Sequence, residues 1–264
     1  MSEPKSWYEV RNVDRVSSPA ILVYPDRIES NIRKMVEIAG HADRLRPHVK
    51  THKMPEVVRL QMKHGISRFK CSTISEVEMV AGCGAKDILL AMQPVGPNLD
   101  RFFSLKDKFR EATISCIADN AHDIERISSM SVKNNSKTPV WLDLNVGMNR
   151  TGIIPGDEAS GLFRLAADSP MLVAEGLHVY DGHIHEHDAD LRRKLCAEAF
   201  APVAEMLKAL EKDGFKNVRI VAGGTPSFPV HARNGNAELS PGTTLLWDYG
   251  YGQSYSDLQF LHAA

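Results

Sequence analysis

Three features of the sequence predict an α/β fold, a parallel (β/α)8 barrel. Apolar, strand-like runs alternate with amphipathic helical stretches from one end of the chain to the other, in eight βα units. The length of 264 residues suits a barrel built as one unit. The glycine-rich turn that would follow the first strand of an open dinucleotide-binding sheet is missing, which favours the barrel over a doubly wound sheet.

Strands are expected near residues 45–50, 69–72, 87–92, 112–118, 140–145, 172–180, 218–222 and 238–240. Ahead of them, Ser18-Pro19-Ala20-Ile21-Leu22-Val23-Tyr24 reads as an extra strand. The chain thus divides into an N-terminal segment, 1–24, and a barrel, 25–264. Ile28, Ile32, Met35, Val36 and Ala39 recur at helical spacing, and Gly40 stands where a helix closes. Pro55 suits the first turn of the next helix and Gly65 its end. Ser75 and Glu78 have capping-box spacing for a third. Phe200, Val203, Leu207 and Leu210 stripe a later helix that stops at Gly214. The final stretch, Gln259-Phe260-Leu261-His262-Ala263-Ala264, is apolar without a cap or polar tail and reads as a cut chain.

Hydrophobic residues make up 43% and charged residues 25%, ordinary for a globular protein with a real core. The 32 basic and 33 acidic residues balance to a formal charge of −1, so no footprint for nucleic acid or a membrane surface exists. No apolar run approaches a membrane span, and the N-terminus lacks the apolar stretch of a signal peptide. Cys71, Cys83, Cys116 and Cys196 are scattered without metal-type spacing and are expected as reduced thiols. A cytoplasmic location is the expectation.

In a barrel of this kind, reactive groups sit at the C-terminal ends of strands, and phosphate is commonly held by the loops after strands 7 and 8. Arg46-Pro47-His48-Val49-Lys50-Thr51-His52-Lys53 runs through the end of the first strand. On a strand, Arg46, His48, Lys50 and His52 share one face, so the lysine has neighbours that resist its protonation. A partly neutral lysine suits Schiff-base chemistry; a surface basic cluster or an anion-binding loop accounts for the octapeptide equally well. Ala222-Gly223-Gly224-Thr225-Pro226-Ser227 follows strand 7 and Ser240-Pro241-Gly242-Thr243-Thr244 follows strand 8. Each alone is an ordinary glycine turn, whereas both together at these positions favour a phosphate cup over two such turns. A lysine opposite such a cup suggests pyridoxal 5′-phosphate (PLP). Arg150, after strand 5, is placed to donate to a phenolate oxygen, and Tyr180, at the end of strand 6, to pack on a ring. His183 and His185 fit acid/base groups first, a solvated loop second and a metal site third.

Together the 46–53 string, Gly147-Met148-Asn149-Arg150, Tyr180 and Gly223-Gly224-Thr225 resemble the D-threonine aldolase and D-serine dehydratase group. These are fold-type III PLP enzymes built on the alanine racemase N-terminal barrel, and the resemblance covers the chain from about Val13 onward. It implies Lys50 as the lysine joined to PLP, Arg150 at the cofactor oxygen, and Tyr180 on the ring. By the same match Gly224, Thr225, Gly242 and Thr243 hold the phosphate, and His48 lies beside the cofactor. It also implies a small-molecule D-amino acid substrate and a homodimer in the full-length form. A C-terminal β-domain with a divalent metal site is usual in the group and is not found in this chain, so no metal ligand is assigned. The group's stacking tyrosine is followed by histidine, whereas here Asp181 follows Tyr180. The function expected is a PLP-dependent lyase of D-configured β-hydroxy amino acids. A non-catalytic PLP-binding protein and an amino-acid racemase are the rivals.

Overall fold

The structure, a computed structural model, describes residues 6–10, 12–235 and 237–264. Seven strands, β1 (Arg68–Cys71), β2 (Asp87–Leu90), β3 (Thr113–Ala118), β4 (Thr138–Leu144), β5 (Leu172–Val179), β6 (Arg219–Ala222) and β7 (Glu238–Leu239), pair in sequence order. Every pairing is parallel. α2 (Pro55–Lys63) leads into β1, and between the strands run α3 (Ile74–Gly82), α4 (Pro97–Lys108), α5 (Ala121–Lys133), α6 (Asp157–Asp168), α7 (Ala189–Lys212) and α8 (Phe228–Asn234). Two further helices, α1 (Pro25–Ala39) and α9 (Tyr249–Ser254), flank this series.

Residues 45–48 take the eighth position. Leu45 bridges Leu239 of β7 and His48 bridges Lys70 of β1, both in parallel. Arg46 N–H donates to the Leu239 carbonyl (2.8 Å), His48 N–H to Pro241 (2.9 Å), and Lys70 N–H to Pro47 (3.0 Å). The expected strand over 45–50 is therefore corrected to a short seam. Extension stops at His48 because its Nδ1 accepts the Lys50 N–H at 3.4 Å, and Val49–Thr51 then turns as a 3-10 helix.

The extra strand expected over 18–24 does not form. A closed barrel leaves no edge to pair with, and Tyr24 N–H goes instead to the Ala263 carbonyl (3.0 Å). Ile28, Ile32, Met35 and Ala39 bury the inner face of α1, and Gly40 closes it at φ 82°. The cap of α3 is Thr73 rather than Ser75. Its hydroxyl accepts from Glu76 N–H (3.2 Å), while the Glu76 carboxylate reaches back to Ser72 N–H (2.7 Å). The apolar C-terminal stretch packs onto α1: Phe260 and Ala263 are buried, and the Asn31 side chain bonds Leu245 and Leu261 carbonyls (3.1 and 2.8 Å). All four cysteines are free thiols. Among the described residues, no helix is long and apolar enough to cross a membrane.

Side chains inside the barrel alternate in layers. Near the N-terminal end, Arg46 is fully buried and bonded to Asp87 (2.8 and 2.9 Å) and Glu238 (2.6 Å), with Arg219 on the same carboxylates. Above lies an apolar cluster of Leu89, Ile117, Trp141 and Val221. Gly176 makes room for it: a Cβ there would stand 2.8 Å from Trp141 and 2.3 Å from the Arg219 carbonyl. The mouth is polar again, with buried His48, Lys70, Asp143 and His178.

Candidate active site

Two hollows open at this mouth and share His48, Lys50 and Tyr180 between them. The first is walled by the loops after β6 and β7, the second by Lys70, Ser72, Gln93, Arg150 and His178. Lys50 lines both hollows, and in the first it shares the walls with the glycine loops after β6 and β7. Its Nζ lies 5.4 Å from the Tyr180 ring centre, and the Arg150 guanidinium 5.5 Å from the same ring. The Lys50 ammonium is pushed below the usual lysine range, first by desolvation and then by Arg150, with Glu76 opposing and Lys53 assisting.

The cause is not the one the strand reading supplies. Arg46 is neutralised by Asp87 and Glu238, on the far side of the apolar layer. His48 is held well below the imidazole range by burial and then by Lys70, Lys50 and His178. It is therefore a neutral ring, and the Lys50 N–H on Nδ1 leaves its proton on Nε2. His52 is pushed down to about 4, chiefly by burial, while its Nδ1 accepts from Met54 N–H (3.1 Å).

The cup is tied to the tyrosine by a buried network. Asp181, next to Tyr180, accepts from Ser227 Oγ and His231 Nε2, each at 2.7 Å. Ser227 Oγ in turn accepts from Gly224 N–H (3.0 Å). Gly223, at φ 78°, has no space for a Cβ, which would meet His231 at 2.7 Å. A Cβ on Gly182 would stand 2.3 Å from the Tyr180 ring, so the ring folds back over its own chain. Asp181, Cys196 and His231 converge closely enough to suggest a metal. Both Asp181 oxygens are already hydrogen-bonded, however, and burial pushes the Cys196 thiol up to about 12. The trio is a buried, hydrogen-bonded core whose thiol stays protonated.

The cup fits a phosphate. Ser240 Oγ is buried without a partner and lines the first hollow. Gly242 and Thr243 N–H groups converge on Thr225 Oγ1 (3.1 and 3.0 Å), leaving that hydroxyl its own proton to donate. Gly224 serves differently from the expectation, since its N–H is taken by Ser227. Of the two expected acid/base histidines, His185 lines the first hollow and its Nδ1 bonds the His183 carbonyl (2.7 Å). His183 packs instead against Gly147, where a Cβ would meet its Nε2 at 2.6 Å.

Residues 23–250 match the family described as alanine racemase, N-terminal domain. The chain belongs to that family. It is 30% identical over 246 residues to a D-threonine aldolase of an Arthrobacter species, covering 92% of this chain and 64% of the relative. A 3-hydroxy-D-aspartate aldolase of Paracoccus denitrificans is also 30% identical, over 90% of this chain and 62% of the relative. The chain therefore spans a little under two thirds of these curated relatives. Among solved structures, a D-threonine aldolase from Filomicrobium marinum superposes with a TM-score of 0.86 at 30% identity, covering 94% of this chain and 68% of that one. PLP is the cofactor typical of such families.

Sequence reasoning missed Lys70, Asp143, His178, Asp181, Ser227 and His231. A lysine between Phe69 and Cys71 in β1, and a histidine two residues before Tyr180 with the same parity, were the available signals.

Proposed function

We propose that this chain binds PLP through Lys50 and belongs to a lyase of D-configured β-hydroxy amino acids, of the D-threonine aldolase or D-serine dehydratase type. The observation that carries the reading is the lysine of lowered basicity facing a cup of phosphate donors, with Arg150 and Tyr180 beside it. When bound, PLP supplies an electron sink for charge developing at the substrate Cα. Lys50 offers the amine that holds it, Arg150 the positive charge for its ring oxygen, and Tyr180 the face on which the ring rests. Ser240 and Thr225 offer hydroxyls to the phosphate, while Gly242 and Thr243, expected to bond it themselves, give their N–H groups to Thr225 Oγ1 and hold that hydroxyl in place. Lys50, once free, handles the Cα proton, removing it in dehydration and supplying one after aldol cleavage, and His185 lines the phosphate-side hollow together with His48. The relatives named above support a small D-amino acid as substrate; the proposed setting is a cytoplasmic homodimer.

Mixing the chain with PLP should give a visible absorption band that borohydride removes and that peptide mapping assigns to Lys50. A Lys50→Ala chain that still forms this adduct would sink the assignment. D-threonine, D-serine and D-3-hydroxyaspartate, each with and without divalent metal, then sort aldehyde release from ammonia release. PLP attachment without turnover of any of them selects a PLP-holding protein. Loss of optical activity without either product selects a racemase.

A further inference from the structure

The mouth of the barrel holds a second lysine that the proposed function leaves without a task. Lys70 sits mid-strand in β1 at 2% exposure, and its Nζ opens on the same hollow as Lys50 and Arg150. It lies 5.5 Å from the Tyr180 ring centre, as Lys50 does at 5.4 Å. Behind it runs a buried chain. Lys70 Nζ is 3.4 Å from His178 Nε2, and His178 Nδ1 is 2.6 Å from Asp143 Oδ1. Asp143 accepts a hydrogen bond from Nδ1–H, so the Nε2 lone pair faces the lysine and accepts from it whether Lys70 is amine or ammonium. Asp143 Oδ2 is buried with no partner, so this carboxylate has acceptor capacity to spare.

We infer that Lys70 is the proton-accepting amine of this cleft, backed by His178 and Asp143, and that it serves the β-hydroxyl of the substrate. The assignment rests on the lyase reading above. The hydroxyl proton passes to Lys70 Nζ, the oxygen keeps the electron pair and forms the carbonyl of the departing aldehyde, and the Cα–Cβ pair stays with Cα, which then takes a proton from the Lys50 side to complete the amino-acid product. The ammonium so formed is stabilised through His178 by the Asp143 carboxylate. The charged groups around Lys70 support this task. Burial and then Lys50 push it down to about 7, Asp143 and Asp181 oppose, and Arg46 assists. His48, bridged to it from the seam, is neutral, as is His178, whose basicity burial and Lys70 lower. An amine near 7 is well matched to accepting a proton at neutral pH. Of the two histidines expected to do so, His183 lies against Gly147 and His185 lines the other hollow.

Lys70→Arg preserves the charge but cannot accept a proton at neutral pH. In the chain without cofactor, labelled with ¹³C,¹⁵N-lysine, the signal missing from Lys70→Arg should titrate near pH 7. In Asp143→Asn its midpoint should fall, because the carboxylate that favours the ammonium is gone. After loading with PLP, Lys70→Arg should keep the borohydride-trapped adduct on Lys50 yet release aldehyde at least about 100-fold more slowly. Its rise in rate through pH 7 should vanish, while His185→Gln retains that rise. A Lys70 signal still protonated at pH 9, or a Lys70→Arg chain with unchanged rate and profile, overturns the inference. A wild-type chain that takes no PLP at Lys50 overturns the lyase reading instead, and the apo titration still judges Lys70 alone.

Discussion

Replacing Arg46 with methionine separates two accounts of this residue. If Arg46 helps to set the chemistry of Lys50, the variant should alter the Lys50 adduct; if it clamps the far end of the barrel, it should lower stability and leave that adduct unchanged. The structure supports the clamp. The guanidinium is fully buried, gives two bonds to Asp87 (2.8 and 2.9 Å) and one to Glu238 (2.6 Å), and is parted from the mouth by Trp141 and its apolar neighbours. Removing one partner of a buried pair costs about 3–5 kcal/mol because the other charge is left uncompensated. Arg219 still reaches both carboxylates, so the lower end, about 3 kcal/mol, is expected. That corresponds to a melting temperature lower by about 6–12 °C.

The pH dependence has a definite sign. Burial alone would raise the Asp87 carboxyl, but the Arg46 bond and charge, with Arg219 and Arg68, hold it below the usual aspartate range. The stabilisation is therefore present above the unfolded value, near 4, and is lost only as pH falls below it. In Arg46→Met the burial effect is no longer offset by Arg46, so the deficit should be full at pH 7 and narrow toward pH 4. Urea unfolding at both values measures it, alongside the PLP adduct band below the melting range. A loss under about 1 kcal/mol at pH 7, or a changed band in a folded variant, would refute the clamp.

Gly176→Ala should lose at least about 1–3 kcal/mol in urea unfolding, since the new methyl would lie 2.3 Å from the Arg219 carbonyl. Ser240→Ala should stabilise the chain without cofactor by about 1 kcal/mol, because it removes a buried hydroxyl with no partner, yet weaken PLP binding roughly tenfold in a fluorescence titration. His52 is neutral in the folded chain down to about pH 4, so stability should fall from pH 6.5 to about 4 and level off below. This term is worth roughly 3 kcal/mol. His52→Asn, which keeps an acceptor for Met54 N–H, should flatten that slope in unfolding measured across the interval.

Much of the barrel was legible because it rests on local signals. Helical stripes such as Ile28-Ile32-Met35-Ala39 bury one face whatever lies opposite, and Gly40 closes the helix through its own backbone freedom. The two loops of the cup were legible because glycines mark them and the barrel's order places them side by side. Lys50 was found for a reason only partly right. Parity grouped it with Arg46, but the turn at His48 ends the alternation, and desolvation and Arg150 do the work assigned to Arg46. Lys70, Asp143 and His178 were illegible as a set, since they stand in separate strands far apart in sequence and no local pattern joins them. Thr73 took the cap from Ser75 through the reach of Glu76, a contest that spacing alone does not decide.

The seam at residues 45–48 has a consequence for how the chain breathes. Strands β4 and β5 hold each other through seven paired residues, whereas this segment is joined to β7 and β1 by isolated bridges and a handful of amide bonds. Its amides should exchange with deuterium ahead of those in β4 and β5. Lys50 follows directly on one side of that weak line, and Gly242 and Thr243 lie across it. A molecule gripped by both sides would act as a rivet, and the slowing of exchange at Arg46 and His48 on loading would report how firmly it closes the ring.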